Sequence, residues 1–270
     1  MRLKSRKPDN DARSVPVLRL TEEGKSRVED TVARETPVTI IFNNRELVTL
    51  LSSPKDLDYL AVGFLFSEGL IKDKKDMRNV LVDEDKGVVR VETVEDTETA
   101  DELVFRRIIT SGCGRGTSFY SAADIKLAKV ESRIGISFQA VLSLVHQFQD
   151  LSELYRVTGG VHSAALCDTE NILVFNDDIG RHNALDKILG KCLLNDIDTT
   201  HRIVLTSGRI SSEILLKIAK RDIPIIISKS APTDLGVQLA TELGITLLGF
   251  VRGRRMNIYS HDWRILSDGR

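Results

Sequence analysis

The chain has 270 residues and a mass of 30.1 kDa, which is enough for one large or two ordinary domains, and 41% of its residues are hydrophobic. Its 38 basic and 39 acidic residues give a formal net charge of −1, which excludes the basic field of a general nucleic-acid- or membrane-surface-binding protein. No apolar run approaches the ~20 residues of a membrane-spanning helix and the first residues lack a signal-peptide core, so we expect a cytoplasmic protein with neither nucleic acid nor membrane as partner.

The first part of the chain begins with a charged stretch that has no sustained hydrophobic period. We therefore predict a mobile N-terminal tail over residues 1–28, with regular structure beginning near Val28. The next apolar stretch predicts two strands joined by a tight turn at Asn43 and Asn44, because asparagine tolerates the positive φ of such turns.

A helix and a second hairpin are predicted next. The helix has Ser53 as its cap and Pro54 at its first position, and Leu57, Leu60 and Phe64 recur at helical spacing. The second hairpin alternates apolar and polar residues around a Lys86-Gly87 turn. Together these elements indicate a small α+β unit over residues 29–125.

The second part, residues 126–270, shows a different pattern. An amphipathic helix is predicted from Phe138 to about Leu154, and two apolar strands, VHSAALC and NILVF, follow it. Helices and short Val/Ile/Leu-rich strands then alternate to the end of the chain. This alternation is typical of an α/β fold with a partly parallel sheet that is buried on both faces.

Three loops follow predicted strands of this sheet, at the edge where such sheets bind ligands. They read SGRISSE, KSAPTD and VRGRRMN, and each combines small or hydroxyl residues with a cation, which suits a phosphate group. Each loop alone also fits an ordinary helix cap with a solvated charge, but three at the expected edge favour phosphate. The candidate binding residues are Ser207, Gly208, Arg209, Lys229, Ser230, Arg252, Arg254 and Arg255.

Two further stretches contribute candidates for the same site. TGGVHSAAL places Gly160 and His162 at the start of a strand, and NDDIGRHNALDK gathers complementary polar groups around the start of a helix. From the second stretch we take Asp178, Arg181, His182 and Asn183. The spacing fits neither HExxH nor the zinc motif of nucleobase deaminases, so we expect no metal site and no deaminase activity.

Cys113 is the candidate for covalent chemistry. It lies between two glycines in ITSGCGRGTSFY, with Arg115 nearby to favour its thiolate. Cys167 ends an apolar strand and Cys192 lies in an amphipathic helix, which are typical places for cysteines that only pack. The three cysteines are far apart and form no CxxC, which argues against disulfides and a structural zinc site.

Taken in order, the hairpin and helix after residue 30, the glycine-flanked cysteine, TGGVHSAAL, DIGRHNALDK, SGRISSE and GFVRGRRMNIYSH resemble the signature segments of the FdhD family. The resemblance covers nearly all of the chain beyond residue 30. It implies a cytidine-deaminase-like α/β/α core without zinc ligands over residues 126–270, a smaller α+β domain over residues 29–125 that contains the cysteine loop, and a homodimer.

The resemblance also implies a sulfurtransferase. Family members accept sulfur from a cysteine desulfurase as a persulfide and pass it to bis-molybdopterin guanine dinucleotide, the cofactor destined for the catalytic subunit of formate dehydrogenase. Cys113 matches the persulfide-bearing position. The segment assigned to binding this cofactor matches Phe250, Val251, Arg252, Gly253, Arg254 and Arg255. The cofactor is then a bound substrate, and GDP should mimic part of it.

One departure from the family keeps a second hypothesis open. The best-known family members carry two cysteines as CxxC, whereas this chain reads Cys113-Gly114-Arg115-Gly116. A first sulfur transfer needs only one thiol. The alternative is a molybdenum-cofactor-binding chaperone for formate dehydrogenase that binds through the phosphate loops and transfers no sulfur.

Overall fold

The structure of the chain is a computed structural model that describes residues 11–94 and 127–266, together with the backbone of two short strands between these ranges. Its strands are β1 Ala12–Thr21, β2 Gly24–Ala33, β3 Thr36–Phe42, β4 Arg45–Ser52, β5 Met77–Asp83, β6 Val88–Thr93, β7 Arg107–Ile109, β8 Thr117–Phe119, β9 Ile136–Ser137, β10 His162–Cys167, β11 Ile172–Asp178, β12 Ile203–Thr206, β13 Ile225–Ser228, β14 Thr246–Arg252, β15 Arg255–Ser260 and β16 Ile265–Leu266. The α-helices of the described residues are α1 Leu57–Glu68, α2 Phe138–Leu151, α3 Glu153–Thr158, α4 Arg181–Leu194, α5 Ser212–Ala219 and α6 Asp234–Glu242.

A β-hairpin of β1 and β2 replaces part of the predicted N-terminal tail. The two strands pair antiparallel from Ala12 opposite Ala33 to Thr21 opposite Gly24. The expectation that regular structure begins near Val28 is therefore wrong. Leu18 and Leu20 are largely exposed, so the hairpin lacks the regular alternation of buried and exposed residues by which a strand is recognised in a sequence.

The predicted hairpins at Asn43-Asn44 and Lys86-Gly87 are confirmed, and they form a four-stranded sheet in the order β4-β3-β6-β5. Asn43 and Asn44 both have positive φ, at 46° and 63°. The predicted start of α1 is wrong, because the helix begins at Leu57 after Asp56 and not at Ser53 and Pro54. The hydroxyl and N–H of Ser53 instead bind the carboxylate of Asp178.

The second half contains a six-stranded mixed sheet in the order β11-β10-β12-β13-β14-β15. Strands β12, β13 and β14 are parallel to one another and the others pair antiparallel, which confirms the partly parallel prediction. Successive residues of β12 face opposite sides. Val204 packs into the core that contains α4, α5 and α6, and Leu205 packs into the core that contains α2. The sheet thus lies between two helical layers.

The long helix predicted from Phe138 to Leu154 is interrupted. It ends at Leu151, and the hydroxyl of Ser152 accepts a hydrogen bond from the N–H of Tyr155 to begin the separate short helix α3. The strand before the VRGRRMN loop also continues further than predicted, through Arg252, and turns back into β15. No helix in residues 11–94 or 127–266 is long and apolar enough to cross a membrane.

Helix α1 joins the two halves of the chain. It packs between the four-stranded sheet and α4, and its residues belong to the same buried cluster as those of α4, α5 and α6. The contact with α4 is made backbone to backbone, since a Cβ on Gly63 would lie 1.7 Å from the main-chain oxygen of Asp186. The predicted division near residue 125 therefore separates two sequence patterns that share one hydrophobic core.

Candidate functional site

A cavity of about 750 Å³ lies at the edge of the large sheet where β12, β13 and β14 end. One side is formed by the loops that follow these strands, and the other by the end of α2, by α3 and by the start of β10. The lining residues are Phe148, Gln149, Ser152, Tyr155, Gly159, Gly160, Val161, His162, Ser163, Ile179, Ser207, Lys229, Ser230, Arg252 and Gly253.

Hydroxyls at the strand ends hold the first two loops together. The hydroxyl of Thr206 accepts a hydrogen bond from the N–H of Gly208 at 3.1 Å. The hydroxyl of Ser228 donates to the carbonyl of Gly208 at 2.7 Å and accepts from the N–H of Ser230 at 2.9 Å. Because the buried bond from Ser228 to Gly208 crosses between the two loops and the other two bonds shape each loop, Ser207 and Ser230 are fixed relative to each other at the cavity.

The third loop is tied to the second through a kink in β14. Phe250 has a left-handed backbone, with φ of 52°, and the pairing with β15 shifts register between Gly249 and Arg252. The N–H of Phe250 donates to the carbonyl of Ser230 at 3.0 Å, and Nε of Arg252 donates to the carbonyl of Lys229 at 2.9 Å. Two cations thereby share one end of the cavity.

The charges around this end favour an anion. Partial burial and the neighbouring charge of Arg252 lower the pKa of Lys229. Burial and then the charge of Arg181 lower the pKa of His162, Asp178 opposes them, and Arg209 adds a smaller lowering effect. A bound phosphate would relieve this repulsion, and it would find hydroxyl donors as well as cations within the same cavity.

Asp178 lies behind the cavity in a fully buried polar cluster. Its carboxylate accepts hydrogen bonds from the Ser52 hydroxyl at 2.6 Å and from Nδ2 of Asn183 at 2.9 Å, and it pairs with Nζ of Lys187 at 2.7 Å. Both ions of this pair are 0% exposed. The cluster fixes the end of β4 against the start of α4, so Asp178 and Asn183 position the fold rather than face the cavity.

A second buried cluster lies on a neighbouring face of α4, at His182 and Asp186. Nζ of Lys217 donates to both carboxylate oxygens of Asp186 at 2.8 Å and pairs with Glu68 at 3.1 Å. Nε2 of His182 lies 3.2 Å from a carboxylate oxygen of Glu213. Burial, and then the charges of Arg181 and Lys217, nevertheless lower the pKa of His182 to about 2, which corresponds to a neutral imidazole at pH 7.

The structure brings seven of the predicted binding residues to the cavity: Gly160, His162, Ser207, Lys229, Ser230, Arg252 and Gly253. It places the others outside the lining: Phe250, Val251, Arg254, Arg255, Asp178, Arg181, His182, Asn183, Gly208 and Arg209. Val251 is 0% exposed in the core beneath the sheet, so it cannot contact a ligand there, whereas Arg254 and Arg255 are exposed on the β14–β15 turn. Cys113 lies outside the described residues.

Most of the lining residues that the sequence analysis missed come from one segment. Phe148, Gln149, Ser152, Tyr155, Gly159, Val161 and Ser163 lie within residues 148–163, and Ile179 follows β11. The apolar residues on both sides of Ser152 recur at the spacing of one amphipathic helix, so the sequence pattern does not show that the helix is interrupted there. The left-handed Gly159, with φ of 62°, is the one signal that marks where the segment turns back.

Comparison with known proteins gives consistent results over almost the whole chain. A family model described as the FdhD/NarQ family matches residues 33–266. The sulfur carrier protein FdhD of Bacillus subtilis (strain 168) is 48% identical over 247 residues, which cover 90% of this chain and 94% of that protein. The protein of the same name from Staphylococcus aureus (strain MRSA252) is 41% identical over 252 residues, 93% of this chain and 95% of its own.

A solved structure agrees with these sequence matches. The crystal structure of a protein from Desulfotalea psychrophila, assigned as a formate dehydrogenase accessory protein, superposes with a TM-score of 0.79 at 29% identity. The match covers 94% of this chain and 99% of that one. The family model over residues 33–266, the relatives of more than 40% identity and the solved structure together show that the chain belongs to the FdhD/NarQ family.

Proposed function

We propose that the chain is a sulfur carrier that receives sulfur on Cys113 as a persulfide and delivers it to bis-molybdopterin guanine dinucleotide for formate dehydrogenase. The cavity where three strand-end loops meet is the observation that carries this proposal. The proposal includes a cysteine desulfurase as donor, the catalytic subunit of formate dehydrogenase as receiver of the cofactor, a homodimer, and a cytidine-deaminase-like core over residues 126–270.

The lining of the cavity suits a nucleotide. Lys229 and Arg252 offer cations, and Ser207 and Ser230 offer hydroxyls, at one end, which together can bind phosphate oxygens. Phe148, Tyr155 and the apolar Val161 and Ile179 line the remainder, which suits the planar rings of a base or pterin. This division between a charged and an aromatic part is what a guanine dinucleotide requires.

The loading of Cys113 needs one thiolate and no redox partner. The thiolate of Cys113 attacks the terminal sulfur of the donor's persulfide, a new S–S bond forms on Cys113, and the donor cysteine leaves as a thiolate. The number of S–S bonds is unchanged, so no electrons are supplied from outside. The second cysteine that other family members carry at the position of Gly116 is not used in this exchange.

The other two cysteines are poor candidates for this chemistry. Cys167 and Cys192 are both 0% exposed, and burial raises the pKa of each to about 12. Both therefore remain protonated thiols at pH 7, whereas the thiolate is the reactive form. Their burial supports the assignment of sulfur transfer to Cys113.

The decisive experiment loads the protein with sulfur. The wild type, Cys113→Ala and the matched control Cys167→Ala are incubated with a cysteine desulfurase and cysteine, and the intact masses are measured. We expect the wild type and Cys167→Ala to gain one sulfur, and Cys113→Ala to gain none and to fail in restoring formate dehydrogenase activity to a strain without its own carrier. Restoration of activity by Cys113→Ala would show that the protein acts without sulfur transfer.

A further inference from the structure

One wall of the cavity is a single stretch of chain whose two ends meet at the same side chain. Residues 152–163 run from the end of α2 through α3 to the start of β10, and seven of them line the cavity: Ser152, Tyr155, Gly159, Gly160, Val161, His162 and Ser163. We call residues 152–163 the wall segment. No other continuous stretch of the described residues contributes as many lining residues.

The carboxylate of Asp177 holds both ends of the wall segment. The hydroxyl of Ser152 donates to Oδ2 at 2.7 Å, and the hydroxyl of Ser163 donates to Oδ1 at 2.5 Å. Ser152 and Ser163 are both buried, and Asp177 itself does not line the cavity. Residues eleven positions apart in the chain are thus joined through one side chain.

Both oxygens of the Asp177 side chain act as hydrogen-bond acceptors. Each serine hydroxyl has one proton to donate, and the Ser152 oxygen already accepts from the N–H of Tyr155 as the cap of α3. Each of the two hydroxyl protons is therefore accepted by a different oxygen of Asp177. An asparagine would place an NH₂ group opposite one of the two serines, and in this arrangement that serine would lose the acceptor of its proton.

We propose that Asp177 is a positioning residue for the ligand of this cavity, because its carboxylate binds both ends of the wall segment and so fixes Tyr155 and His162. Only the identity of the ligand rests on the proposed function. Asp177 acts through the serines, and its effect on binding comes from the shape of the wall rather than from its charge.

Shape and charge predict opposite results, which makes the proposal testable. Asp177→Asn removes a negative charge near a cavity that contains Lys229 and Arg252, so a purely electrostatic effect would tighten the binding of an anion. Loss of the hydrogen bonds from Ser152 and Ser163 would instead weaken binding. The wall segment would then become ordered only when the ligand binds, and the lost conformational entropy would oppose binding. The sign of the change therefore separates the two explanations.

The experiment measures GDP affinity by calorimetry and amide hydrogen exchange of the wall segment, both on the full chain. The variants are Asp177→Asn, Ser152→Ala and Ser163→Ala. Asp168→Asn is the matched control, because Asp168 also accepts two hydrogen bonds, from the N–H groups of Glu170 and Asn171, at the far end of the same β10–β11 hairpin.

We expect Asp177→Asn to weaken GDP binding about tenfold and to speed exchange in the wall segment, with smaller losses of affinity in the serine variants. Either serine substitution added to Asp177→Asn should cause little further loss, since the three residues act as one unit. Asp168→Asn should change neither quantity. If Asp177→Asn does not fold, the Ser152→Ala, Ser163→Ala double variant replaces it.

Affinity for GDP that is unchanged or tighter in Asp177→Asn, with unchanged exchange in the wall segment, would overturn the proposal. The exchange measurement needs no ligand. A wild type that binds no GDP would thus contradict the nucleotide part of the proposed function, while the exchange rates of the variants would still decide whether Asp177 holds the wall.

Discussion

Arg252 is fixed by the backbone of Lys229: its Nε donates to the Lys229 carbonyl at 2.9 Å. The kink at Phe250 makes this contact, because a left-handed residue in β14 brings the strand end back over the neighbouring loop. Arg254, two residues further on, is exposed on the turn and outside the cavity lining. Two arginines of the same motif thus have different surroundings.

This difference predicts different effects on nucleotide binding. Arg252→Ala should weaken GDP binding about tenfold or more and reduce its dependence on salt, since a charge-assisted hydrogen bond contributes about 1.5–3 kcal/mol. Arg254→Ala should change affinity less than about twofold, and it serves as the matched control for net charge. Calorimetry at two salt concentrations measures the GDP affinity of both variants and its dependence on salt. Equal losses in the two variants would show that the ligand extends over the turn.

GDP binding should be accompanied by proton uptake. The pKa of His162 is lowered by burial and by Arg181 and Arg209, so the free protein holds it mainly neutral at pH 7. A phosphate in the cavity favours the imidazolium and raises that pKa. Affinity should therefore increase as pH falls from about 7.5 towards 6. Calorimetry in two buffers of different ionisation enthalpy counts the protons, and His162→Gln should remove the uptake if His162 is its source.

His182 should make folding less stable in mild acid. Its pKa in the folded protein is lowered to about 2, first by burial, whereas an unfolded histidine titrates near 6.5. Between these values the unfolded chain binds one more proton, so this contribution to the unfolding free energy falls as pH decreases, by up to about 1.4 kcal/mol per pH unit.

The measurement is the difference in urea stability between the wild type and His182→Gln from pH 7 to pH 5. This difference cancels the opposite contribution of Asp177, whose pKa is raised chiefly by burial and whose stabilising effect is lost as pH rises. A difference that is independent of pH would mean that the nearby Glu213 carboxylate restores an ordinary pKa to His182.

Gly63→Ala should be strongly destabilising. The added Cβ would lie 1.7 Å from the main-chain oxygen of Asp186, and backbone cannot move aside as a side chain can. We expect a loss of about 3 kcal/mol or more in unfolding free energy, at the upper end for overpacked cores. Gly160→Ala is a suitable control, because its nearest contact is a methyl group at 3.4 Å and its φ is not in the left-handed region. Urea unfolding of both variants makes the comparison.

The elements with a buried face were predictable from the sequence. The strands from β10 to β14 and the helices between them have regular apolar patterns, because each packs against a core on at least one side. The β1–β2 hairpin has no such pattern, since its side chains are mostly exposed. Its strands pair through backbone hydrogen bonds, which do not depend on the side chains.

The candidate site was predictable on one side only. Loops that follow parallel strands carry recognisable polar residues, and Ser207, Lys229 and Arg252 were found in this way. The opposite wall depends on the break at Ser152, which exists because a serine hydroxyl caps α3 and binds Asp177 on a distant strand. A tertiary contact of this kind cannot be read from local sequence.

The packing of α1 against α4 has a consequence for motion. Separating the two halves as rigid bodies would break up the buried cluster that α1 shares with α4 and would expose apolar side chains of that cluster. Exposing each such side chain to water costs about 1.5–3 kcal/mol, so opening at this junction amounts to partial unfolding. If the cavity takes the nucleotide cofactor proposed above, that ligand must therefore enter without separation of the two halves of the described residues.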